Sequence, residues 1–269
     1  MSRISSRFTE LRKDGMGALI CYIMGGYPSI DFTVKLIPFL ANCGADIIEV
    51  GIPFSDPIAD GRSIQNASVK ALASGATPIK VIDAIAEARK KTEVPVLTMT
   101  YFNIIYKLGV DNFLHYAARH GVDGVIVPDL PVDEAIEFCD KAKGKGVDTV
   151  FLASPTTTED RLQRVVRLST GFVYLVSLLG VTGARREVSS RAFELIKRVK
   201  VHTKGRLPLA VGFGISKPEH VAQLIRSGAD GVVVGSALID LMEGSTGDRI
   251  IDNLARFVTS MKKAAKRDA

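Results

Sequence analysis

The sequence is poor in the features that mark disulfide-rich, zinc-binding and membrane-spanning proteins. It has three cysteines among 269 residues. Their odd number and wide spacing indicate buried, reduced thiols rather than a disulfide framework. The best apolar run, Ala18 to Met24, is far shorter than the roughly 20 residues that span a bilayer. The N-terminal segment MSRISSRFTELRKDG lacks the apolar core of a signal peptide. We therefore expect a cytoplasmic protein without a membrane partner.

A strong basic cluster of the kind that binds nucleic acid is also missing. The formal net charge is +6, but the basic residues are dispersed except in the C-terminal tail. The tail cluster consists of Lys262, Lys263, Lys266 and Arg267. It ends a predicted helix, where cations complement the macrodipole, and no aromatic residues for base stacking are interleaved with it. A modest positive charge suits a phosphorylated substrate as well, so we expect no nucleic-acid partner.

Several catalytic signatures are absent as well. No zinc-ligand spacing, P-loop or cysteine–histidine pair is present, and the turn Met24-Gly25-Gly26-Tyr27-Pro28 is not a GxGxxG motif. No lysine lies in a predicted strand, which disfavours a Schiff-base aldolase. All four histidines lie in predicted helices, where we interpret them as structural or exposed: His115, His120, His202 and His220. We expect no metal site in this chain.

Eight short, β-branched apolar runs alternate with helical patterns along the whole chain. Several strands follow a similar phrase, as at Gly44-Ala45-Asp46 and Gly228-Ala229-Asp230, in which the glycine ends the preceding helix. The predicted strands are Ala18–Ile23, Asp46–Val50, Val96–Thr100, Gly124–Val127, Thr149–Leu152, Phe172–Val176, Leu209–Val211 and Gly231–Val234. The second interval holds two helical patterns, near Ser63–Ala73 and Ile79–Lys90.

Such a repeat of strands and helices predicts an α/β fold, a closed (β/α)8 TIM barrel that forms one domain over residues 1–269. An open doubly wound sheet is the alternative. An extra N-terminal helix with Ile4, Phe8 and Leu11 on one face is expected to plug the bottom of the barrel.

A glutamate interrupts the second predicted strand and points to acid–base chemistry. Alternation places Glu49 on the face of Ile47, among apolar residues. A buried carboxylate is costly unless it is paired, and no basic residue lies in the predicted strands. We interpret Glu49 as a working acid or base; a structural glutamate paired with a buried arginine or lysine is the alternative. The following loop supplies a second carboxylate, Asp60.

The ends of other predicted strands bring aromatic and apolar side chains to the same rim, where the active site of such a barrel lies. Tyr22, Met99, Tyr101 and Tyr174 share an inward parity. Together with two carboxylates they suit a flat aromatic substrate that has one acidic N–H or O–H group. Each tyrosine could equally be a core residue with a bonded hydroxyl.

Two glycine-containing turns indicate a phosphate site. Gly212-Phe213-Gly214-Ile215-Ser216 follows the seventh predicted strand, and Gly235-Ser236 follows the eighth. Loops at these two places form the recurrent phosphate site of the fold, because glycine lets backbone N–H groups approach the oxygens. We predict that Gly214, Gly235 and Ser236 bind phosphate. We interpret Ser216 instead as the start of a capping box that continues through Pro218 and Glu219.

A long segment after the sixth strand, SLLGVTGARREVSS at 177–190, lacks apolar periodicity. Gly180 and Gly183 provide hinge freedom, and Thr182 can donate to a bound oxygen. We interpret the segment as a lid that closes over substrate, with a disordered surface loop as the alternative. Arg185 and Arg186 could meet either phosphate or a partner protein.

Glu49, the following GIPFSDPIADG and the later GVTGAR resemble the tryptophan synthase alpha subunit family, and the likeness covers essentially the whole chain. The resemblance implies a lyase that cleaves indole-3-glycerol phosphate to indole and glyceraldehyde 3-phosphate. It implies that Glu49 is the acid–base group and that Asp60 accepts the indole N–H. The implied indole pocket is Tyr22, Met99, Tyr101, Leu152 and Tyr174. The implied phosphate site and lid are Thr182, Gly183, Phe213, Gly214, Gly235 and Ser236.

The resemblance also implies a partner, a pyridoxal-phosphate-dependent beta subunit that receives indole within an alpha2beta2 heterotetramer. Pro53 and Asp56 fall in the implied interface loop, and no cofactor is expected in this chain. Tyr22, Met99 and Leu178 depart from the commonest pattern, which leaves the fine shape of the pocket and the lid contacts open.

Three rival functions fit the sequence less well. Indole-glycerol-phosphate synthase would need a catalytic lysine on a strand, and ribulose-phosphate epimerase would need metal-binding histidines at strand ends. A non-catalytic barrel that only activates a beta-type partner would have no use for both Glu49 and Asp60.

Overall fold

Eight parallel strands close into a barrel in the computed structural model, which describes residues 1–176, 190–212, 214–244 and 248–267. The strands pair in chain order, and β8 pairs with β1. They are β1 Ala18–Met24, β2 Ile47–Gly51, β3 Val96–Met99, β4 Gly124–Ile126, β5 Asp148–Ala153, β6 Val173–Val176, β7 Leu209–Gly212 and β8 Gly231–Val234. The TIM barrel prediction is confirmed, and each predicted strand is present with ends that differ by at most one residue.

Helices surround the barrel and connect successive strands. They are α1 Arg3–Lys13, α2 Ile30–Asn42, α3 Arg62–Ala73, α4 Pro78–Arg89, α5 Phe102–Leu108, α6 Val110–Arg119, α7 Ile136–Gly144, α8 Glu159–Leu168, α9 Ser190–Thr203, α10 Pro218–Arg226, α11 Ser236–Glu243 and α12 Asp248–Ala264. The two helices predicted between the second and third strands are α3 and α4. Over the described residues, none of the helices is both long and apolar enough to cross a bilayer.

Helix α1 covers the end of the barrel at which the strands begin, which we call the barrel floor. Its apolar residues Ile4, Phe8 and Leu11 are buried, and the ring of Phe8 lies 5.8 Å from that of Phe172 in the barrel. A Cβ on Gly231, the first residue of β8, would lie 3.3 Å from the Phe8 ring. The missing side chain therefore makes room for the helix, and the predicted plug is confirmed.

A repeated sequence of glycine, alanine or valine, and aspartate joins helices to strands on this floor. Its four glycines all have positive φ, which an L side chain rarely adopts: Gly44, Gly121, Gly146 and Gly228. Three of its aspartates accept a backbone N–H from the start of the preceding strand. Asp46 accepts from Leu19 at 2.7 Å, Asp123 from Val96 at 2.8 Å, and Asp230 from Leu209 at 3.0 Å. Each carboxylate thus fixes the start of two neighbouring strands.

Basic residues from both ends of the described chain neutralise these three buried carboxylates. Helix α1 contributes ion pairs Arg3–Asp123 at 3.1 Å, Arg7–Asp46 at 2.7 Å and Arg12–Asp230 at 3.2 Å. The C-terminal tail contributes Lys262–Asp46 at 2.7 Å and Arg267–Asp230 at 2.8 Å. Two residues of the tail cluster therefore complement specific buried charges, an arrangement that helix periodicity alone does not reveal.

The predicted capping box at Ser216 is wrong. Helix α10 begins at Pro218 with Lys217 as its N-cap, and no side-chain hydrogen bond caps it. Because Lys217 is extended and proline occupies the first helical position, Ser216 lies one residue too early for the capping role. Cys21 and Cys139 are buried as predicted, whereas Cys43 is partly exposed, and all three are free.

Candidate functional site

A cavity opens at the carboxyl ends of the strands and collects most of the predicted site residues. Its empty space, counted with the open mouth, is about 720 Å³. The predicted residues that line it are Tyr22, Glu49, Asp60, Met99, Leu152, Tyr174, Gly214, Gly235 and Ser236. Side chains from β1, β2, β3, β5 and β6 thus converge with loops after β2, β7 and β8, as the barrel geometry requires.

Glu49 lies on β2 at the centre of the cavity wall, beside Tyr22 of β1 and Leu97 of β3 in the strand register. Its side chain is 1% exposed, and among the described residues neither carboxyl oxygen has a hydrogen-bond partner. Burial, with a contribution from the charge of Asp60, raises the pKa of Glu49 to about 8. Glu49 is therefore protonated near neutral pH, and no described lysine or arginine lines the cavity to pair with it.

Asp60 reaches the same cavity from the loop between β2 and α3. Burial raises its pKa to about 6, and a hydrogen bond from Tyr101 opposes that rise. Its backbone carbonyl accepts a hydrogen bond from Gln65 Nε2 at 2.8 Å. Two carboxyl groups with pKa values separated in this way are the usual sign of one acid and one ionised partner in a single site.

The rings of Tyr22 and Tyr174 fold over the ends of neighbouring strands. A Cβ on Gly51 would overlap the hydroxyl of Tyr22, and a Cβ on Gly212 would overlap that of Tyr174. Glycine at the end of β2 and β7 therefore allows both rings to lie where they do. Burial raises the pKa of both hydroxyls well above the ordinary value, so the tyrosines are neutral lining groups.

Tyr101 is placed differently from the other predicted pocket residues. It immediately precedes α5 and is buried, but it is not among the described residues that line the cavity. Its hydroxyl accepts the N–H of Ala59 at 3.0 Å and lies near enough to the carboxylate of Asp60 to lower its pKa. Its ring stacks on Phe54, with centroids 5.2 Å apart. Tyr101 thus contacts the loop that carries Asp60.

The predicted phosphate residues meet at one side of the cavity. Gly214 has φ +77°, and Gly235 and Ser236 form the start of α11. All three line the cavity, so backbone N–H groups and a helix N-terminus are available to an anion there. The predicted residues Thr182, Gly183 and Phe213, and the proposed lid except Ser190, lie outside the described residues.

The two predicted interface residues differ in exposure. Pro53 is buried within the chain, whereas Asp56 is exposed. Ile58, two residues further along the same loop, is 82% exposed. The accessible part of this loop therefore includes Asp56 and Ile58 but not Pro53.

Sequence patterns missed several residues of the cavity. These are Ala59, Gly61, Ile64, Ile126, Pro128 and Val233. The inward parity that identified Met99 at the end of β3 applies equally to Ile126 at the end of β4. Pro128 and Ile64 lie beyond the strands, where strand alternation gives no signal.

Comparison with known proteins identifies the family. The sequence profile described as "Tryptophan synthase alpha chain" matches residues 8–266. The chain belongs to the tryptophan synthase alpha chain family. The tryptophan synthase alpha chain of Methanoregula boonei is 45% identical to it, over 99% of this chain and 100% of the relative.

Solved structures of the family have the same fold. A tryptophan synthase structure from Mycobacterium tuberculosis matches with a TM-score of 0.90 and 35% identity, over 100% of this chain and 99% of the other. A mutant tryptophan synthase alpha-subunit from Pyrococcus furiosus matches with a TM-score of 0.85 and 42% identity, over 92% and 98%. As a member of the tryptophan synthase alpha chain family, the chain is a lyase of tryptophan biosynthesis that cleaves indole-3-glycerol phosphate.

Proposed function

We propose that the cavity at the carboxyl ends of the strands is the site of this cleavage, with Glu49 as the acid–base residue and Asp60 as its ionised partner. The observation that carries the proposal is a buried glutamic acid that has no hydrogen-bond partner among the described residues and shares an apolar cavity with a second carboxylate of lower pKa. The indole ring would lie among Tyr22, Leu152 and Tyr174. The phosphate would bind beside Gly214 and at the start of α11.

Each carboxyl group has a distinct task in the retro-aldol reaction. Glu49 donates its proton to indole C3, which removes the aromaticity of the ring and creates the electron sink that carbon–carbon cleavage requires. Asp60 accepts the indole N–H and stabilises the positive charge that develops on nitrogen. The Glu49 carboxylate then takes the proton of the glycerol hydroxyl next to the ring. The carbonyl of glyceraldehyde 3-phosphate forms, the C–C electrons return to the ring, and indole leaves.

This chemistry needs no cofactor bound to the chain. The electron sink is the protonated indole itself, and the proton donor and acceptor is Glu49. Pyridoxal phosphate would belong to the beta subunit, which would use the released indole.

The proposed partner surface is the face around the cavity mouth. Three large apolar side chains in the segments that follow β2, β3 and β4 are exposed: Ile58 at 82%, Tyr106 on α5 at 74% and Ile136 at the start of α7 at 53%. Exposed apolar groups on one face favour a protein interface. Together with Asp56 they would meet a beta subunit, and two such pairs would form an alpha2beta2 heterotetramer.

An indole-release assay tests the function directly. The purified chain should form indole from indole-3-glycerol phosphate, and a tryptophan synthase beta subunit should raise the rate. Isolated chain and complex are assayed at equal active-site concentration. Absence of indole in both would favour a non-catalytic barrel and overturn the proposal.

The phosphate assignment predicts a binding defect in Ser236→Ala. Loss of one hydrogen bond to a charged oxygen should raise KM about tenfold with kcat nearly unchanged, because the bond exists in both substrate and transition state. Steady-state kinetics measure both constants. Ser216→Ala is the matched control, since Ser216 is exposed and does not line the cavity. An unchanged KM in Ser236→Ala would remove the side chain from the phosphate site.

A further inference from the structure

We propose that Tyr101 is a positioning residue for Asp60: it holds the 54–60 loop in the geometry from which Asp60 meets the substrate. The inference rests on the proposed function of the cavity and changes the role that the family resemblance implies for Tyr101. A residue that acts through Asp60 and a residue that lines the indole pocket have different kinetic consequences.

Tyr101 contacts both ends of the loop. Its ring stacks on Phe54 at the start, with a centroid distance of 5.2 Å and an interplanar angle of 29°. Its hydroxyl accepts the N–H of Ala59 at 3.0 Å, at the other end. The same hydroxyl lies near the Asp60 carboxylate and lowers its pKa. One side chain therefore spans the loop and ends on its functional group.

The Phe54 end of the loop is held by hydrogen bonds to α3. The Phe54 N–H donates to Ser68 Oγ at 3.0 Å, and Ser68 Oγ donates to the Phe54 carbonyl at 2.9 Å. Ser68 is 1% exposed and belongs to α3. Tyr101 thus connects a backbone anchored on α3 to the residue that must be placed accurately. Between these anchors, Ser55, Asp56 and Ile58 are exposed.

Tyr101 also affects the charge on Asp60. The titratable groups that interact with it are Glu49 on β2, Tyr22 on β1, Tyr174 on β6 and Tyr101 after β3. Among the described residues, the hydrogen bond from Tyr101 is the interaction that lowers the pKa of Asp60 against the effect of burial. The hydroxyl therefore both locates the carboxylate and keeps it ionised.

The test is Tyr101→Phe, which keeps the ring stack and removes only the hydroxyl. We expect kcat to fall about tenfold, because the hydrogen bond that orients an ionised group is lost. The acid limb of the kcat/KM profile should move about one pH unit upward, since the carboxylate loses a donor. Titration of 13C-labelled aspartate by NMR should show the same upward shift without any turnover.

The matched control is Tyr116→Phe. Tyr116 also donates to an aspartate, Asp83 at 2.5 Å, but it lies on α6 outside the site. This variant should retain the wild-type kcat and pH profile. A rise in KM alone in Tyr101→Phe, with an unmoved acid limb and an unmoved Asp60 titration, would indicate a lining role and overturn the inference.

The outcomes also separate this inference from the proposed function. If the wild type releases indole, and an unmoved Asp60 titration is found in Tyr101→Phe, only the positioning role fails. If the wild type releases no indole with or without a beta subunit, the proposed function fails and the inference fails with it. An upward shift in the pKa of Asp60 in Tyr101→Phe, together with a loss of kcat, supports both the proposed function and the positioning role.

Discussion

Replacing Glu49 with glutamine should abolish indole release from indole-3-glycerol phosphate while binding of the phosphate ester survives. Glutamine keeps the size of the side chain but has no transferable proton, so both proton transfers at C3 and at the glycerol hydroxyl are lost. General acid–base groups typically contribute about 10²–10⁴-fold to rate, and one group that serves both steps should lie at the upper end of that range. A quenched-time-point assay of indole measures the loss of turnover. Calorimetric titration with indole-3-glycerol phosphate measures substrate binding separately.

The pH dependence of the urea unfolding midpoint of Glu49→Gln shows whether this variant is folded. The pKa of Glu49 is about 8 in the folded chain against an ordinary value of 4.5. Its contribution to stability is therefore fully present below pH 4.5 and is lost as the pH rises through about 8. Glu49→Gln removes this loss, so its urea midpoint should exceed that of the wild type at alkaline pH and approach it at acidic pH. Full activity in the variant would overturn the assigned role.

Replacing Asp60 with asparagine should slow turnover severely, by about 100-fold. An asparagine carbonyl can still accept the indole N–H, but it carries no charge to stabilise the cation that forms when C3 is protonated. The acid limb near pH 6, which corresponds to the pKa of Asp60, should disappear with the carboxylate. Measurement of kcat/KM from pH 5 to 9 checks both features.

Two results would count against this role of Asp60. A wild-type rate in Asp60→Asn would remove it from the indole N–H. A slow variant that retains the acid limb would assign that limb to another group. Gln65→Ala serves as a loop control, because Gln65 binds the Asp60 carbonyl and not its carboxylate.

The barrel and the central glutamate could both be predicted from the sequence because each follows from a local pattern. Strands buried on both faces are almost continuously apolar, so a carboxylate such as Glu49 is conspicuous within one. The same alternation places Tyr22, Met99 and Tyr174 at the rim. Nothing beyond residue type and parity is needed for these assignments.

Other features could not be predicted because they depend on contacts between distant segments. The inward parity of Tyr101 suggested a pocket residue, but the loop that carries Asp60 folds across it. The family resemblance placed Pro53 in the interface loop, whereas it is buried within the chain. The C-terminal basic cluster indicated a complement to the helix dipole, yet Lys262 and Arg267 meet aspartates more than 30 residues away. In such cases the sequence indicates what kind of group a side chain will contact. Which residue it contacts becomes known only from the folded structure.

The ion pairs of the barrel floor lie at the opposite end of the strands from the cavity. Asp46, Asp123 and Asp230 connect strand starts, the first helix and the tail, and none of them lines the cavity. Inherited variation in this chain should therefore have two separable effects. Substitutions at the barrel floor would alter the amount of folded protein that a cell accumulates. Substitutions around the cavity would alter the turnover rate of each folded molecule. The sequences of the two ends of the barrel can therefore evolve at different rates within a single chain.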